Sequence, residues 1–410
     1  MKKSLIALAF GTLGLGIAEF TMMGILPYVA RDLNISIPVA GHFISAYALG
    51  VCAGAPMLIV ARKRPLKHIL LVLMALMLVG NLGAAMAPDY WLLLAARFIS
   101  GLPHGAFFGT ATLIAKTLAD KGKEAQSVSM MVTGQTVANM LGVPAGKRAD
   151  EEKSSEAVSI MIAGMTVANL FGVPLGTSLS HMLSWRVTFL LVGCWGLIVL
   201  YYIWRWVPVI EGLKDTGFKG QFRFLKTPAP WLILGATALG NGGVFCWYSY
   251  ITPLLTNVSG FSAESVTALM VLAGFGMVVG NLVSGRLSDR YTPGKVGTVV
   301  QGMICILLLM IFFLSPNPWC SAILMALCTA GLFAVSSPEQ VLIIRVAPGG
   351  EMLGGACVQI AFNLGNAIGA YVGGLALSGG YRYPALAGVP FALVGFVLFA
   401  VFYKKFQAKY

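Results

Sequence analysis

Apolar residues in this chain do not recur only at the three-to-four-residue spacing of a helix resting on a soluble core; they continue in long blocks. A hydrocarbon layer about 30 Å thick takes about 20 helical residues to cross. Runs of that kind fall near 4–30, 40–60, 69–88, 90–115, 126–146, 156–180, 185–207, 230–256, 263–285, 296–315, 318–343, 352–378 and 384–403, thirteen in all. The first starts behind Lys2 and Lys3 as a secretory leader would, but it continues to about Ala30, twice a leader's apolar core. It is expected to be a membrane span.

The odd number has a source in the sequence. Val128–Gly146 returns as Val158–Gly176 at a lag of 30 residues, with 12 of 19 positions identical. The connecting Lys147–Glu156 echoes Ala119–Gln126, so the repeated unit is loop plus helix, 119–146 and 149–176, and the fifth span is present twice. Lysine and arginine placement tests whether both copies cross, because cytoplasmic loops carry the excess. With twelve spans and the N-terminus inside, 21 cations lie inside and three outside (Arg31, Arg186, Arg382); three more (Lys147, Arg148, Lys153) lie in the linker, and Arg97 lies within a span. If both copies crossed, the twelve cations from Arg205 to Lys409 would face outward. One copy is therefore expected in the bundle and the other displaced. The charged linker and the short connection to Trp185 favour the second copy, with both termini cytoplasmic.

Composition agrees with a lipid solvent. Of 410 residues, 58% are hydrophobic and 10% charged, against roughly a quarter charged in a soluble domain. The net charge of +13 would suit a nucleic-acid binder if it formed a patch, but it sits in the loops between apolar runs, so no nucleic-acid partner is expected. The 49 glycines and 19 prolines fall within apolar runs, where glycine lets helices approach closely. All seven cysteines lie in or at the ends of those runs without metal-binding spacing, so neither a disulfide framework nor a zinc site is indicated. The chain lacks the Gly-x-Ser-x-Gly, His-Glu-x-x-His and phosphate-loop patterns, which disfavours an enzyme, ATP drive and any cofactor.

At the end of the 263–285 run stands Gly285-Arg-Leu-Ser-Asp289-Arg290-Tyr-Thr-Pro-Gly294-Lys295. This resembles the loop signature of the major facilitator superfamily: a glycine, three residues, an acid, an arginine and a further basic residue. In physical terms the acid can accept from a helix N-terminus or a neighbouring arginine and hold one side shut, so Gly285, Asp289 and Arg290 are gating candidates; a solvated charge cluster is the plainer reading. Gly50-x-x-x-Gly54 aligns with Gly276-x-x-x-Gly280 at an offset of 226, which supports parallel halves. The first-half copy departs from the signature, with Ile59 for the glycine and Lys63 for the acid.

Ionisable side chains inside the spans are functional candidates by default. Arg97, in Ala95-Ala-Arg97-Phe-Ile-Ser-Gly101-Leu-Pro-His104-Gly105, resembles the family's fourth-span arginine, which is tied there to proton coupling; a snorkelling arginine is the alternative. His104 lies two turns further along the same face, and a structural, hydrogen-bonded histidine is its alternative. Glu19 is the only acid within the first-half spans. Desolvation favours its neutral form and any cation it meets favours the charged one, which suits a group that takes up and releases protons. A permanently paired carboxyl is the alternative. Glu339, after Pro338, is a second intramembrane acid and the alternate proton carrier.

Gly164, Gly172, Pro174 and Gly176 resemble the glycine-proline signature of antiporters in this superfamily, a kinked helix with a flat face able to rock. Polar and aromatic groups at mid-membrane depth are candidate substrate contacts: Asn169, Asn241, Trp247, Tyr248, Asn281, Gln359 and Asn363. Amides with aromatics suit a neutral hydroxylated or amphipathic solute. Gly14 to Pro27, Pro38 to Gly50, Gly101 to Gly109, Thr166 to Gly176 and Gln359 to Gly365 together resemble the bacterial arabinose-efflux-permease type within the twelve-span drug and sugar efflux group.

The expectation is an all-α polytopic membrane protein with the major facilitator fold: two six-helix bundles around a central cavity plus one duplicated helix. Residues 1–207 form the first bundle, 208–229 a cytoplasmic inter-bundle loop and 230–410 the second bundle. Function is expected to be proton-coupled export of a small neutral or amphipathic solute by a monomer in the inner membrane, with the solute, protons and lipid as its partners. Uptake or facilitated diffusion is the alternative within transport. A non-transporting receptor or scaffold is the alternative from another class, and no soluble domain or long tail speaks for it.

Overall fold

The computed structural model describes residues 2–54, 56–57, 64–117, 173–210, 222–348 and 351–408. Among them there is no strand. The helices are α1 (Lys2–Asp32), α2 (Ile37–Ala40), α3 (His42–Gly54), α4 (Leu66–Met86), α5 (Tyr90–Thr117), α6 (Val173–Met182), α7 (Trp185–Trp206), α8 (Pro228–Tyr248), α9 (Ile251–Asn257), α10 (Ala263–Arg290), α11 (Pro293–Leu314), α12 (Pro318–Val346), α13 (Glu351–Ala376) and α14 (Tyr383–Phe406). Among the described residues, eleven helical stretches are long and apolar enough to cross a membrane, α2 with α3 and α8 with α9 each completing one of them. Outside the duplicated region they coincide one for one with the runs read from the sequence.

Local chemistry sets where these helices begin. The side chains of Ser184, Ser262, Thr292 and Asn317 accept from backbone N–H groups in the first turns of α7, α10, α11 and α12. Proline occupies the first turn of α8, α11, α12 and α14, where its missing N–H costs nothing. Asp32 on α1 pairs with Arg186 and accepts at 3.1 Å from Trp185 Nε1, while Arg186 also donates to Ala87 O at 3.0 Å. Those contacts join the ends of α1, α4 and α7.

Helix pairing repeats between the two halves. The partners α3/α5, α4/α5, α4/α7, α1/α7 and α1/α6 recur in the same order as α10/α12, α11/α12, α11/α14, α8/α14 and α8/α13. Two further pairs, α3/α13 and α6/α10, join the halves and mirror each other. Glycines set the separation within a pair. A Cβ on Gly50 or Gly54 would strike the carbonyls of Phe98 and Leu102 on α5, and a Cβ on Gly276 or Gly280 those of Ala326 and Ala330 on α12. The repeated Gly-x-x-x-Gly faces are thus packing devices in both halves.

α6 takes the fifth place of the first half, packing on α1, α7 and α10. It continues the second copy of the duplicated segment, with Pro174 buried in its first turn and Gly176 within it. The first copy, Asn169, Gly164 and Gly172 lie outside the described residues.

Candidate functional site

The site forms where three first-half helices, α1, α3 and α5, meet the second half. α1 brings Glu19 to mid-length among Ala18, Phe20 and Met22, all fully buried, and Glu19 itself is 1% exposed. Its Oε1 accepts at 3.4 Å from Asn366 Nδ2 on α13, across the junction between the halves. Its Oε2 stands 3.8 Å from His104 Nε2 on α5.

Hydrogen-bond bookkeeping assigns the histidine's tautomer. Tyr47 Oη on α3 lies 3.1 Å from the carbonyl of Leu15, which can only accept, so the single hydroxyl proton goes there. Tyr47 Oη is also 3.0 Å from His104 Nδ1, so that contact has Nδ1–H donating and leaves the ring's Nε2 as an acceptor facing the carboxyl. Glu19 Oε2 and His104 Nε2 are both buried without a hydrogen-bond partner. A proton on either one turns it into a donor toward the other. The imidazole is held in plane by stacking on Phe108, 5.2 Å between centroids at 14°.

Arg97 is fully buried and does not snorkel. It donates from Nη1 to Ala18 O on α1 at 2.8 Å and from Nε to Phe43 O on α3 at 3.4 Å, with the guanidinium 4.4 Å from the Tyr47 ring centroid. It reaches the Glu19 neighbourhood through the adjoining carbonyl and Tyr47, with no ion pair to the carboxylate. Arg97 and His104 do share one face of α5, since Tyr47 touches both.

Glu339 on α12 is buried in the second half, with Asn241 Nδ2 of α8 at 3.3 Å from each carboxylate oxygen. Trp247 and Tyr248 are buried with ring centroids 5.9 Å apart, and Asn281 is buried on α10. Asn363 donates to the Gln359 carbonyl one turn back at 3.1 Å, so part of its amide serves its own helix, while Gln359 is half-buried. Gly285 is buried near the end of α10; Arg290 is exposed, its guanidinium 5.6 Å from the Tyr291 ring, with Lys295 Nζ 5.2 Å from the same ring. The Asp289 side chain lies outside the described residues.

Sequence reasoning missed three kinds of residue. Tyr47 and Asn366 complete the Glu19 cluster. Asn366 is three residues after Asn363, a spacing that places two amides on neighbouring positions of one helix face and was the available signal. Phe20, Phe245, Phe333 and Phe362 form a chain of rings at 6.4 Å (Phe20–Phe245), 6.0 Å (Phe20–Phe333) and 5.3 Å (Phe245–Phe362). These rings come from α1, α8, α12 and α13, so the chain bridges the halves beside Glu19. Phenylalanine is so common in apolar runs that no sequence signal separated these four.

Among the described residues, eleven helices long and apolar enough to cross a membrane, set in mirrored halves with carboxyls, amides and an arginine buried among them, are the architecture of a polytopic membrane transporter. Among the described residues no cluster of side chains suits a metal ion. The Major Facilitator Superfamily model matches residues 8–149 and 145–354, its two matches meeting in the stretch between the duplicated copies. The chain is 45% identical to the protein named "Putative transporter AraJ" of Escherichia coli strain K12, over 100% of this chain and 97% of that one. It is 25% identical to the "Probable sugar efflux transporter" of Helicobacter acinonychis strain Sheeba, over 99% and 95%. The solved bacterial homolog of the human lysosomal transporter Spinster, in an inward-facing and unoccupied conformation, has the same fold: TM-score 0.73 over 99% of this chain and 97% of that one, at 16% identity. The chain belongs to the Major Facilitator Superfamily, a family of membrane transporters and not of enzymes.

Proposed function

We propose that this protein is a proton-coupled exporter of a small neutral or amphipathic solute, working by alternating access as a monomer in the inner membrane with both termini cytoplasmic. The observation that carries this reading is the Glu19–His104 pair: two buried titratable groups with facing, unpartnered atoms at the junction of the halves. Such a pair holds a proton stably only when one member is charged or donating, so its occupancy can change as the junction opens to one side or the other. Glu339, bonded by Asn241 in the second half, is the second proton carrier. The phenylalanine chain between the halves supplies apolar ring faces, while Trp247, Tyr248 and the amides Asn169, Asn281, Gln359 and Asn363 supply polar contacts, a lining suited to a sugar-like or drug-like solute. A relative named for sugar efflux supports that class. On the gating side, Asp289 and Arg290 with Gly285 latch one end, and Pro174 and Gly176 on α6, with Gly164 and Gly172 before them in the sequence, let this segment rock against α10.

The test has two stages. Thermal stabilisation across a panel of neutral sugars and amphipathic drugs identifies the solute. In proteoliposomes, an inwardly acidic gradient should then drive that solute against its concentration, and Glu19→Gln should abolish this drive while leaving solute exchange and insertion intact. Undiminished coupling in Glu19→Gln would remove Glu19 from the mechanism and leave Glu339 to carry the proton.

A further inference from the structure

We infer that Asn366 is the residue through which the second half of the molecule senses the protonation of Glu19, a positioning residue rather than a proton carrier; the inference rests on the proposed role of Glu19.

Several hydrogen bonds cross between the halves, and they differ in kind. Ser45 donates to Ala367 O at 3.0 Å, Cys52 to Ile360 O at 3.4 Å, and Thr252 to Met23 O at 3.2 Å and to Gly24 O at 3.3 Å. Each of these ends on a backbone carbonyl, whose acceptor strength does not change with protonation. Asn366 Nδ2 to Glu19 Oε1, at 3.4 Å, ends on a titratable group. It is charge-assisted when Glu19 is ionised, and roughly half as strong once the carboxyl is neutral.

The other groups facing Glu19 are placed differently. Arg97 and His104 on α5 and Tyr47 on α3 belong to the same half and move with it, so their contacts with α1 report nothing to the other half. Asn366 has the chemistry to read both states. Its Nδ2 donates to a carboxylate, and its Oδ1, buried and without a partner, is available to accept from a protonated carboxyl.

The position of Asn366 makes the signal consequential. The adjoining Ala367 carbonyl receives Ser45, and the Ala370 carbonyl one turn on receives Tyr250 Oη at 2.6 Å. On another face of the same turns, Gly365 and Gly369 lie directly against the α8 backbone at Ala238 and Gly242. This stretch of α13 is therefore held by α1, α3 and the second half's own helices at once. Protonation of Glu19 weakens the α1 tie alone and leaves the α3 ties of Ser45 and Cys52 in place, so it lowers the hold of the first half on α13 by that one contact.

The test needs no solute. The C=O stretch of protonated Glu19, titrated by infrared difference spectroscopy on the reconstituted protein, is identified as the band that Glu19→Gln removes. In Asn366→Leu that band should move to higher frequency and its midpoint should shift by about one pH unit toward alkaline, the worth of one hydrogen bond to a charged group. Asn366→Ser, small enough to be accommodated and too short to reach the carboxyl, should do the same and covers the case in which Leu fails to fold. A Glu19 band unchanged in both variants overturns the inference and leaves the proton-carrier reading intact. If Glu19→Gln removes no protonation band, leaving only one that Glu339→Gln abolishes, Glu19 does not titrate, and that reading falls with the inference.

Discussion

The carboxamide nitrogen of Asn241 stands 3.3 Å from both carboxylate oxygens of Glu339, joining α8 to α12 inside the second half. No basic side chain contributes a described ion pair to this carboxyl, so the amide is its principal stabilising contact. Asn241→Leu should therefore destabilise the protein by about 1–3 kcal/mol, the cost of a buried polar group left without its partner. Adding Glu339→Leu to that variant should recover most of the loss. A thermal-melting cycle over the four proteins checks this, and simple additivity of the two single losses would show that the pair is not coupled.

Arg97 makes a different kind of junction. Its planar guanidinium donates to Ala18 O and Phe43 O on two separate segments while lying over Tyr47. Lysine keeps the charge but cannot form the fork or the stack. Arg97→Lys should thus lose about 1.5–3 kcal/mol of stability, the worth of a hydrogen bond to a charged group, and should impair transport nearly as much as Arg97→Ala. Melting temperature and transport rate in proteoliposomes are the measurements. A Lys variant matching the parent would mean that charge alone matters at this position.

Helix contact through glycine makes a prediction with opposite signs at two sites. A Cβ at Gly54 would strike the Leu102 carbonyl, whereas a Cβ at Gly83 would sit 3.4 Å from Ala96 Cβ in ordinary contact. Gly54→Ala should destabilise by about 1–3 kcal/mol as α3 is pushed from α5. Gly83→Ala, in the last turn of α4, should be neutral or gain a few tenths of a kcal/mol, up to about 1 kcal/mol, from helix propensity. Thermal unfolding in detergent compares them, and similar melting temperatures would contradict the close α3–α5 contact.

These residues also mark how far the sequence could be read. Crossings were legible because a bilayer demands long apolar runs whatever the tertiary fold. Mirrored halves showed in Gly50/Gly54 and Gly276/Gly280, since helices that touch at the backbone require small residues on one face. Glu19, Arg97 and His104 stood out because charge is rare in these runs. What stayed hidden is partnership. Nothing in the spacing of Asn241 and Glu339, 98 residues apart, announced that they touch. Asn366 was passed over for Asn363, which binds its own helix, because the choice depends on the rotation of α13 about its axis. Arg97 stood out as a charge, but its bonds go to carbonyls, a preference set by backbone geometry that sequence does not display.

The duplicated helix makes the last prediction. Two near-equivalent segments, Val128–Gly146 and Val158–Gly176, compete for one place, and the cation distribution allows one of them to cross. α6 fills the fifth position with residues Val173–Met182 and leads within three residues into α7 at Trp185. A crossing by the first copy would have to return to Val173 through the linker and the whole second copy, on the same side as Arg186 and away from the other loop cations. The second copy, by contrast, includes the first residues of α6 in its own sequence, and its crossing keeps Lys147, Arg148 and Lys153 with the main body of positive charge. Being apolar, the displaced first copy should then lie along the membrane surface or against the protein. A cysteine introduced as Ser154→Cys, in a background with all seven native cysteines replaced, should resist a membrane-impermeant thiol reagent in intact cells and react once the membrane is permeabilised. Labelling in intact cells would place the linker outside, and would mean that the first copy, which leaves the ribosome earlier, had inserted before its rival was made.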